Sequence, residues 1–262
     1  MTARKGLKIF KGDHANIFYS EHPNLNNTCI IFPPADERGI IDILDLFELV
    51  KNQYKKVQII RVPKSKAEFW AMILRGKAKK EDVLDYTYPV YTVSTSSIIE
   101  MKGSKFYNFK KTLNKIKDDE LEIEPIDFTK DKQKLSKLLL KWVKDVSFNP
   151  DVNIAEPALY VSENLGTTLS LNGFIIYQAG KACGFAIWEN PQTKNQTACA
   201  TIHCARHIQG LSEFIHFKIS EILLTQGIQK LCIGGSETHG LDFFKRKMQP
   251  CEQDSLMTIN LK

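Results

Sequence analysis

The hydrophobic and polar positions of the first hundred residues switch between two spacings. Short continuous apolar runs, CIIFP at 29–33 and VQIIRV at 57–62, are each followed by a segment whose apolar residues recur at helical intervals, IIDILDLFELV at 40–50 and KAEFWAMIL at 66–74. The first kind of run reads as a strand and the second as a helix packing one stripe against it, so the pattern predicts an α/β arrangement. Pro33, Pro34 and Pro63 end the two runs, where a residue without a backbone N–H closes a strand. A third extended segment, YPVYTVSTSSII, is expected over 88–99. Ser104 then reads as the N-cap of a helix over 104–117 with Phe106, Phe109, Leu113 and Ile116 on one face and Lys110, Lys111, Lys115 and Lys117 over the other.

The second half is more regular. Leu135, Leu138, Leu139, Trp142, Val143 and Val146 predict a helix over 132–146, and a second helix is expected from Glu156 to about Leu171. GFIIYQ at 173–178, ACGFAIWE at 182–189 and ACATIHCA at 198–205, separated by Ala179-Gly180-Lys181 and by Asn190–Thr197, predict an antiparallel meander. A helix with Leu211, Phe214, Ile215, Ile219, Ile222 and Leu223 follows, capped by Gly227, and then a strand at 231–234, a short helix near 240–248 and a final strand at 255–261. The expected division is an N-terminal half, 1–101, and a C-terminal half, 102–262, with the basic helix at the junction.

Composition places the chain among folded globular proteins: 262 residues, 43% hydrophobic and 25% charged. No apolar run reaches the roughly 18 residues that cross a bilayer, and MTARKGLKIFKGDH lacks the apolar stretch of a secretory signal. A cytoplasmic location is therefore expected. The six cysteines show no CxxC pair and no ligand spacing with histidine, so they read as buried, reduced thiols, and no metal site is expected. Charge is more telling by position than in total. The net charge is +6, yet Lys51–Lys80 holds ten basic residues against the single acid Glu68, and Lys102–Lys117 holds six against none. Two segments so depleted in acids point to a polyanionic partner, RNA or an anionic lipid headgroup, against the plainer reading of solvated faces.

The order of elements in the second half, with a loop of basic and glycine residues before the long helix, resembles the GCN5-related N-acyltransferase (GNAT) fold. That loop reads Arg206-His207-Ile208-Gln209-Gly210-Leu211-Ser212. The family's R/Q-x-x-G-x-G/A motif holds a donor pyrophosphate on backbone N–H groups at a helix N-terminus. Gly210 matches it, His207 stands where Arg or Gln is usual, and Ser212 replaces the small last residue. The segment GGSETHGLDFFKRKMQP at 234–250 is similar to the G-L-x-x-F-K-x-x-F-x-P signature of the FemAB-like and phosphatidylglycerol lysyltransferase C-terminal-domain (DUF2156-type) group, through Gly240, Leu241, Phe244, Lys245 and Pro250, with Met248 in place of the second Phe. The stretch from Gly103 to Ile126 resembles that group's basic G-K-K motif region. The resemblance implies a tandem GNAT-like α/β (α+β) fold, with mixed, mostly antiparallel central sheets flanked by helices. It also implies aminoacyl-tRNA as donor.

Under that resemblance the reaction is attack of an amine or hydroxyl on an activated ester, which requires removal of a proton and stabilisation of an oxyanion. Lys245 is the expected stabilising charge, its alternative being a solvated helix lysine. Glu189, His203 and His239 are candidate bases or acids, with Glu237 beside the last. Arg206, His207, Gly210, Leu211 and Ser212 are the expected donor-binding residues. Arg75, Lys77, Lys79 and Lys80, together with Lys105, Lys110, Lys111 and Lys115, would contact tRNA phosphates. Residues 239–249 contain no tyrosine to protonate a thiolate, which favours charged tRNA over acetyl-CoA or another acyl-CoA as donor. No cofactor is expected beyond the donor, and the acceptor is expected to be a soluble amine, hydroxyl or peptide, with peripheral membrane contact left open. Two other readings stand beside this one: an acyl-CoA-dependent N-acyltransferase on a small amine, and an inactive GNAT-like module that binds RNA or protein.

Overall fold

The computed structural model describes residues 7–22, 25–34, 37–80, 88–116, 121–146, 171–189, 191, 197–205, 208–236 and 238–261. The chain divides into two compact units, Arg4–Pro89 with Asp254–Lys262, and Val90–Gln253. The boundary falls at 89/90 rather than the expected 101/102, and the last strand returns to the N-terminal unit. The segment over 88–99 runs across this boundary: it is a strand only to Ser94, and Thr95–Glu100 is helical. Ser94 provides the reason, because its hydroxyl accepts from the Ser97 N–H and caps the new helix.

The N-terminal unit is built on a six-stranded sheet of order β1-β2-β3-β4-β13-β5. Its strands are β1 (Lys8–Lys11), β2 (Asn16–Glu21), β3 (Thr28–Ile31), β4 (Lys56–Pro63), β5 (Lys77–Lys80) and β13 (Leu256–Leu261). β3 and β4 are parallel, paired from Thr28↔Lys56 to Ile31↔Ile59, and are joined by helix α1 (Ile40–Val50). Ile43, Leu46 and Val50 of α1 and Ala67, Trp70 and Ala71 of α2 (Lys64–Ile73) meet Cys29, Ile31, Val57 and Ile59 in one core cluster. Asp42, in the first turn of α1, is buried. Its carboxylate accepts from the backbone N–H groups of Asp13 (3.1 Å), His14 (3.1 Å) and Ala15 (2.7 Å). The strands β1, β2 and β5 escape the hydrophobic pattern because they are short, and the residues of β1 are largely exposed.

The C-terminal unit holds a seven-stranded sheet of order β12-β6-β11-β10-β9-β8-β7, in which β6 is Tyr88–Ser94, β11 is Lys230–Ser236 and β12 is Glu252–Asp254. β8 (Leu171–Gln178), β9 (Lys181–Glu189) and β10 (Ala198–Ala205) form the expected antiparallel meander, flanked by β7 (Leu121–Pro125). The β8–β9 turn places Ala179 (φ 50°) and Gly180 (φ 71°) in the left-handed region, the type I′ pattern that matches strand twist. Alternate residues serve two cores: Phe174, Ile176, Ala186 and Trp188 face one cluster, while Ile175, Phe185 and Ile187 face another with Leu135, Leu139 and Val143 of α5 (Lys132–Val146). Burial on both faces explains why these strands read as continuous apolar runs.

The first of these clusters also takes Ile98 from α3 (Thr95–Glu100), Phe109 from α4 (Tyr107–Leu113) and Leu211, Phe214, Ile215 and Ile219 from α6 (Leu211–Thr225). The basic helix is shorter than the expected 104–117, with Ser104–Phe106 forming a single 3-10 turn before it and no side-chain cap from Ser104. The helix expected over 156–171 lies outside the described residues up to Ser170, and Leu171 opens β8.

Candidate active site

Two parallel strands and the helices that follow them frame the site. β10 is registered with β11 (Lys230–Ser236) only through Ala198↔Leu231 and Cys199↔Cys232, although the strands run for eight and seven residues. Among the described residues no pair between the two strands is registered beyond Cys199 and Cys232. α6 connects β10 to β11, and α7 (His239–Arg246) follows β11.

Helix α7 is inside out. It buries Asp242 and Lys245, three residues apart, while Phe243 is 55% exposed. Charged residues are almost never buried unless paired, since an uncompensated buried charge costs several kcal/mol. Each buried charge here has a partner. Asp242 Oδ1 accepts from the Tyr91 hydroxyl at 2.7 Å and Oδ2 from Arg246 Nε at 2.9 Å, and the same Nε lies 3.1 Å from the Tyr91 oxygen. The Lys245 ammonium donates to the carbonyl of Gly235, at the end of β11. Thr238 caps the helix through its hydroxyl, which accepts from the Leu241 N–H. Met248 is fully buried in the core, so it fills the place of the second Phe in the family signature as an apolar plug.

Helix α6 presents a polar row to the same region. Glu213, His216 and Ser220 are all buried, at spacings of three and four residues beside the apolar stripe. His216 Nδ1 lies 2.8 Å from the Ser212 carbonyl oxygen, which only accepts, so in the neutral ring Nδ1 carries the proton. Burial first, with the charge of Lys245 adding to it, pulls His216 down to about 4 and keeps it neutral near pH 7. Its ring packs edge-on against Phe244, with centroids 5.5 Å apart. Glu213 accepts from Lys247 at 3.4 Å. Among the described residues the buried hydroxyls of Ser220 and Ser236 have no hydrogen-bond partner, Ser236 directly following the carbonyl that Lys245 holds.

Of the residues expected from sequence, Lys245 lies in this cluster, buried rather than solvated. Glu189 is exposed at the end of β9, and His239 is exposed in the first turn of α7. His203 is paired through its backbone with Ala186 in β10, but its side chain lies outside the described residues, as do Arg206, His207 and Glu237. Gly210 has φ 93°, and a Cβ there would sit 2.6 Å from the Thr112 carbonyl oxygen of α4, so packing alone requires glycine. Leu211 is a core residue whose N–H donates to Ile208 O, and the Ser212 carbonyl is taken by His216. Tyr91 supplies, from β6, a tyrosine that residues 239–249 lack. Its hydroxyl is spent on Asp242, and burial with that bond pushes its pKa up.

Lys105, Lys110, Lys111 and Lys115 are exposed on α4 and its flanks, around Tyr107, which is 63% exposed. Arg75 and Lys77 are exposed and Lys79 half-buried in the N-terminal unit, where Lys77, Lys79 and Lys80 lie on the edge strand β5. Lysines on an edge strand also guard it against pairing with other chains. His216, Glu213, Tyr91 and Asp242 were not singled out by sequence. The available signal was the polar triplet 213, 216 and 220 interrupting an apolar helix.

The family described as "Phosphatidylglycerol lysyltransferase, C-terminal" matches residues 26–257, nearly the whole chain. The chain belongs to this family. Among solved structures, a conserved protein of unknown function from Bacteroides thetaiotaomicron is 18% identical with a TM-score of 0.78, covering 98% of this chain and 86% of that one. L-PGS from Bacillus licheniformis is 11% identical with a TM-score of 0.71, covering 97% and 83%. FemX is 10% identical with a TM-score of 0.64, covering 97% and 88%. At these identities the likeness establishes the lysyltransferase C-terminal fold, GNAT-like and shared with tandem GNAT proteins. No curated protein matches the chain. Among the described residues, no helix is long and apolar enough to cross a membrane.

Proposed function

We propose that the protein is an aminoacyl-tRNA-dependent aminoacyltransferase, moving an amino acid from the tRNA ester to an amine or hydroxyl acceptor. The observation that carries this reading is Lys245: a signature lysine of the family, buried at the end of β11, where it donates to the Gly235 carbonyl, on a helix pinned through Asp242. The acceptor nitrogen or oxygen attacks the ester carbonyl carbon, the new bond forms as the ester C–O bond to the ribose breaks, and the acceptor's proton passes to the ribose oxygen. The ammonium of Lys245 stabilises the oxyanion of the tetrahedral intermediate, a contribution worth about 10²–10³ in kcat in comparable sites. Charged tRNA engages the exposed lysines of α4, and Tyr107 among them offers an aromatic face to an unpaired base.

The acyl-CoA reading loses its main support, because the glycine at 210 is already required by α4. The test is consumption of radiolabelled aminoacyl-tRNA ester in the presence of a panel of amines and polyols, run in parallel with acetyl-CoA. Acceptor-dependent loss of the tRNA ester that falls about 10²–10³-fold in Lys245→Ala, with the fold intact by circular dichroism, supports the assignment. Acetyl-CoA turnover with charged tRNA untouched overturns it, and turnover of neither donor leaves the binding-module reading in its place.

A further inference from the structure

Helix α2 of the N-terminal unit has two apolar faces, and only one of them is covered. Ala67, Trp70 and Ala71, with Leu74 just beyond the helix, are buried in the core. At 100° per residue Phe69 and Met72 fall on the opposite side, and they are 61% and 70% exposed. The helix is fixed where it stands. At its start the Lys64 N–H and the Ser65 hydroxyl donate to the Asp254 carboxylate. At its end Gly76 passes so close to β13 that a Cβ would lie 2.8 Å from Asn260 O. Phe69 and Met72 are therefore held out by a rigid element, not by a loose turn.

The charges around this ridge are mostly positive; the acids beside it are Glu68 and, at the start of the helix, Asp254, whose carboxylate is taken by the Lys64 N–H and the Ser65 hydroxyl. Lys64 and Lys66 flank it, Arg75 and Lys77 follow it, and Glu68 is the single acid between Lys51 and Lys80. Among the described residues no carboxylate pairs with the side chain of Lys64, Arg75 or Lys77. α1 provides a contrast within the same unit: it exposes Ile41 and Leu49 to a similar degree, 53% and 54%, but beside Asp45 and Glu48. An anionic surface attracts the α2 face and repels the α1 face.

We propose that the α2 face docks the protein on an anionic phospholipid surface, with Phe69 and Met72 entering the headgroup boundary and Lys64, Lys66, Arg75 and Lys77 meeting lipid phosphates. Apolar side chains flanked by cations on one helix side are the composition of interfacial helices. RNA accounts for the cations but not for Met72, which gains from hydrocarbon and nothing from a phosphate backbone. This proposal stands apart from the aminoacyl transfer chemistry and requires no particular acceptor.

The experiment is co-sedimentation of the whole chain with vesicles of phosphatidylcholine alone and of phosphatidylcholine containing one third phosphatidylglycerol, at low and high salt. The wild type is expected to bind the anionic vesicles, to release them as salt rises, and to leave neutral vesicles unbound. The pair Phe69→Ser with Met72→Ser is expected to weaken binding about tenfold or more. Arg75→Glu with Lys77→Glu is expected to weaken it comparably, and Ile41→Ser with Leu49→Ser to leave it unchanged. These are surface positions, so unchanged thermal unfolding is the check on folding. Absence of wild-type binding to anionic vesicles at low salt overturns the proposal, as does equal binding by the Phe69/Met72 variant. Self-association of the wild type that this variant abolishes, with no vesicle binding, makes the face a contact between copies. Loss of tRNA binding without loss of vesicle binding makes it an RNA surface.

Discussion

Both units join two parallel strands through a helix, and they do so with opposite results. In the N-terminal unit β3 and β4 stay paired over four registered positions and α1 seals them. In the C-terminal unit β10 and β11 are registered at two positions among the described residues. The buried polar groups differ in step. The N-terminal unit's α1 buries one acid, Asp42, whose carboxylate accepts from the backbone N–H groups of residues 13–15 and lies 3.9 Å from the His14 imidazole. Around β11 the C-terminal unit buries Glu213, His216, Ser220, Ser236, Asp242 and Lys245, and the two serine hydroxyls have no partner among the described residues. A satisfied acid is a clasp. A cluster with such hydroxyls, beside two strands registered with each other at only two positions among the described residues, is what a substrate would complete.

The sharpest way to break this contrast is to exchange the consequences of its two buried charges. Lys245→Ala is expected to lower aminoacyl transfer about 10²–10³-fold while changing the unfolding midpoint modestly. Asp42→Ala is expected to do the reverse. It leaves three backbone N–H groups without their acceptor, at about 1 kcal/mol each, for a loss of about 3 kcal/mol. Transfer per folded molecule should be retained. Urea unfolding and single-turnover transfer on the two variants check both, and a rate loss in Asp42→Ala at full folding would end the division of roles.

A smaller effect concerns His216. Held neutral with a pKa of about 4 in the folded chain against an ordinary 6.5, it binds its proton more readily when unfolded. Its contribution is therefore fully present above pH 6.5 and is lost as pH falls toward 4, reaching about 3 kcal/mol. The stability difference between pH 7 and pH 4 should shrink in His216→Gln relative to the wild type. An unchanged difference would mean that protonation of His216 is not resisted by the fold.

The same contrast explains what could be read from the sequence. Elements that bury a regular stripe were legible: α1, β4, α5 and the β8–β9 hairpin fall within a residue or two of their expected spans. The site was legible only where a motif named a residue, as for Lys245. Asp242 and His216 were not, because the rule that places charge outside and apolar groups inside is inverted on α7 and interrupted on α6. Tyr91 was missed for another reason: it reads as an ordinary strand residue, and its pairing with Asp242 spans 151 positions of chain. The return of β13 to the first sheet is equally a matter of long-range pairing, Leu261↔Val57 and Met257↔Val62, which no local pattern carries.

Cysteines at the two junctions offer a measurement that perturbs neither. Cys29 sits in β3 opposite Val57, fully buried, and burial pushes its thiol up to about 12. Cys232 sits in β11 in the last registered pair with β10 and is half-buried. Only the thiolate attacks a maleimide, so burial and the raised pKa together should slow Cys29 by about a hundredfold or more relative to Cys232. Pulse labelling of the native protein, with the modified peptides located by mass spectrometry, checks this directly. If the strand ends beyond Cys232 open the donor cleft, charged tRNA should protect Cys232 and leave Cys29 as unreactive as before. Equal labelling of both cysteines in the absence of donor would show that the C-terminal junction is as closed as its N-terminal counterpart, and the cleft would have to be sought elsewhere in that unit.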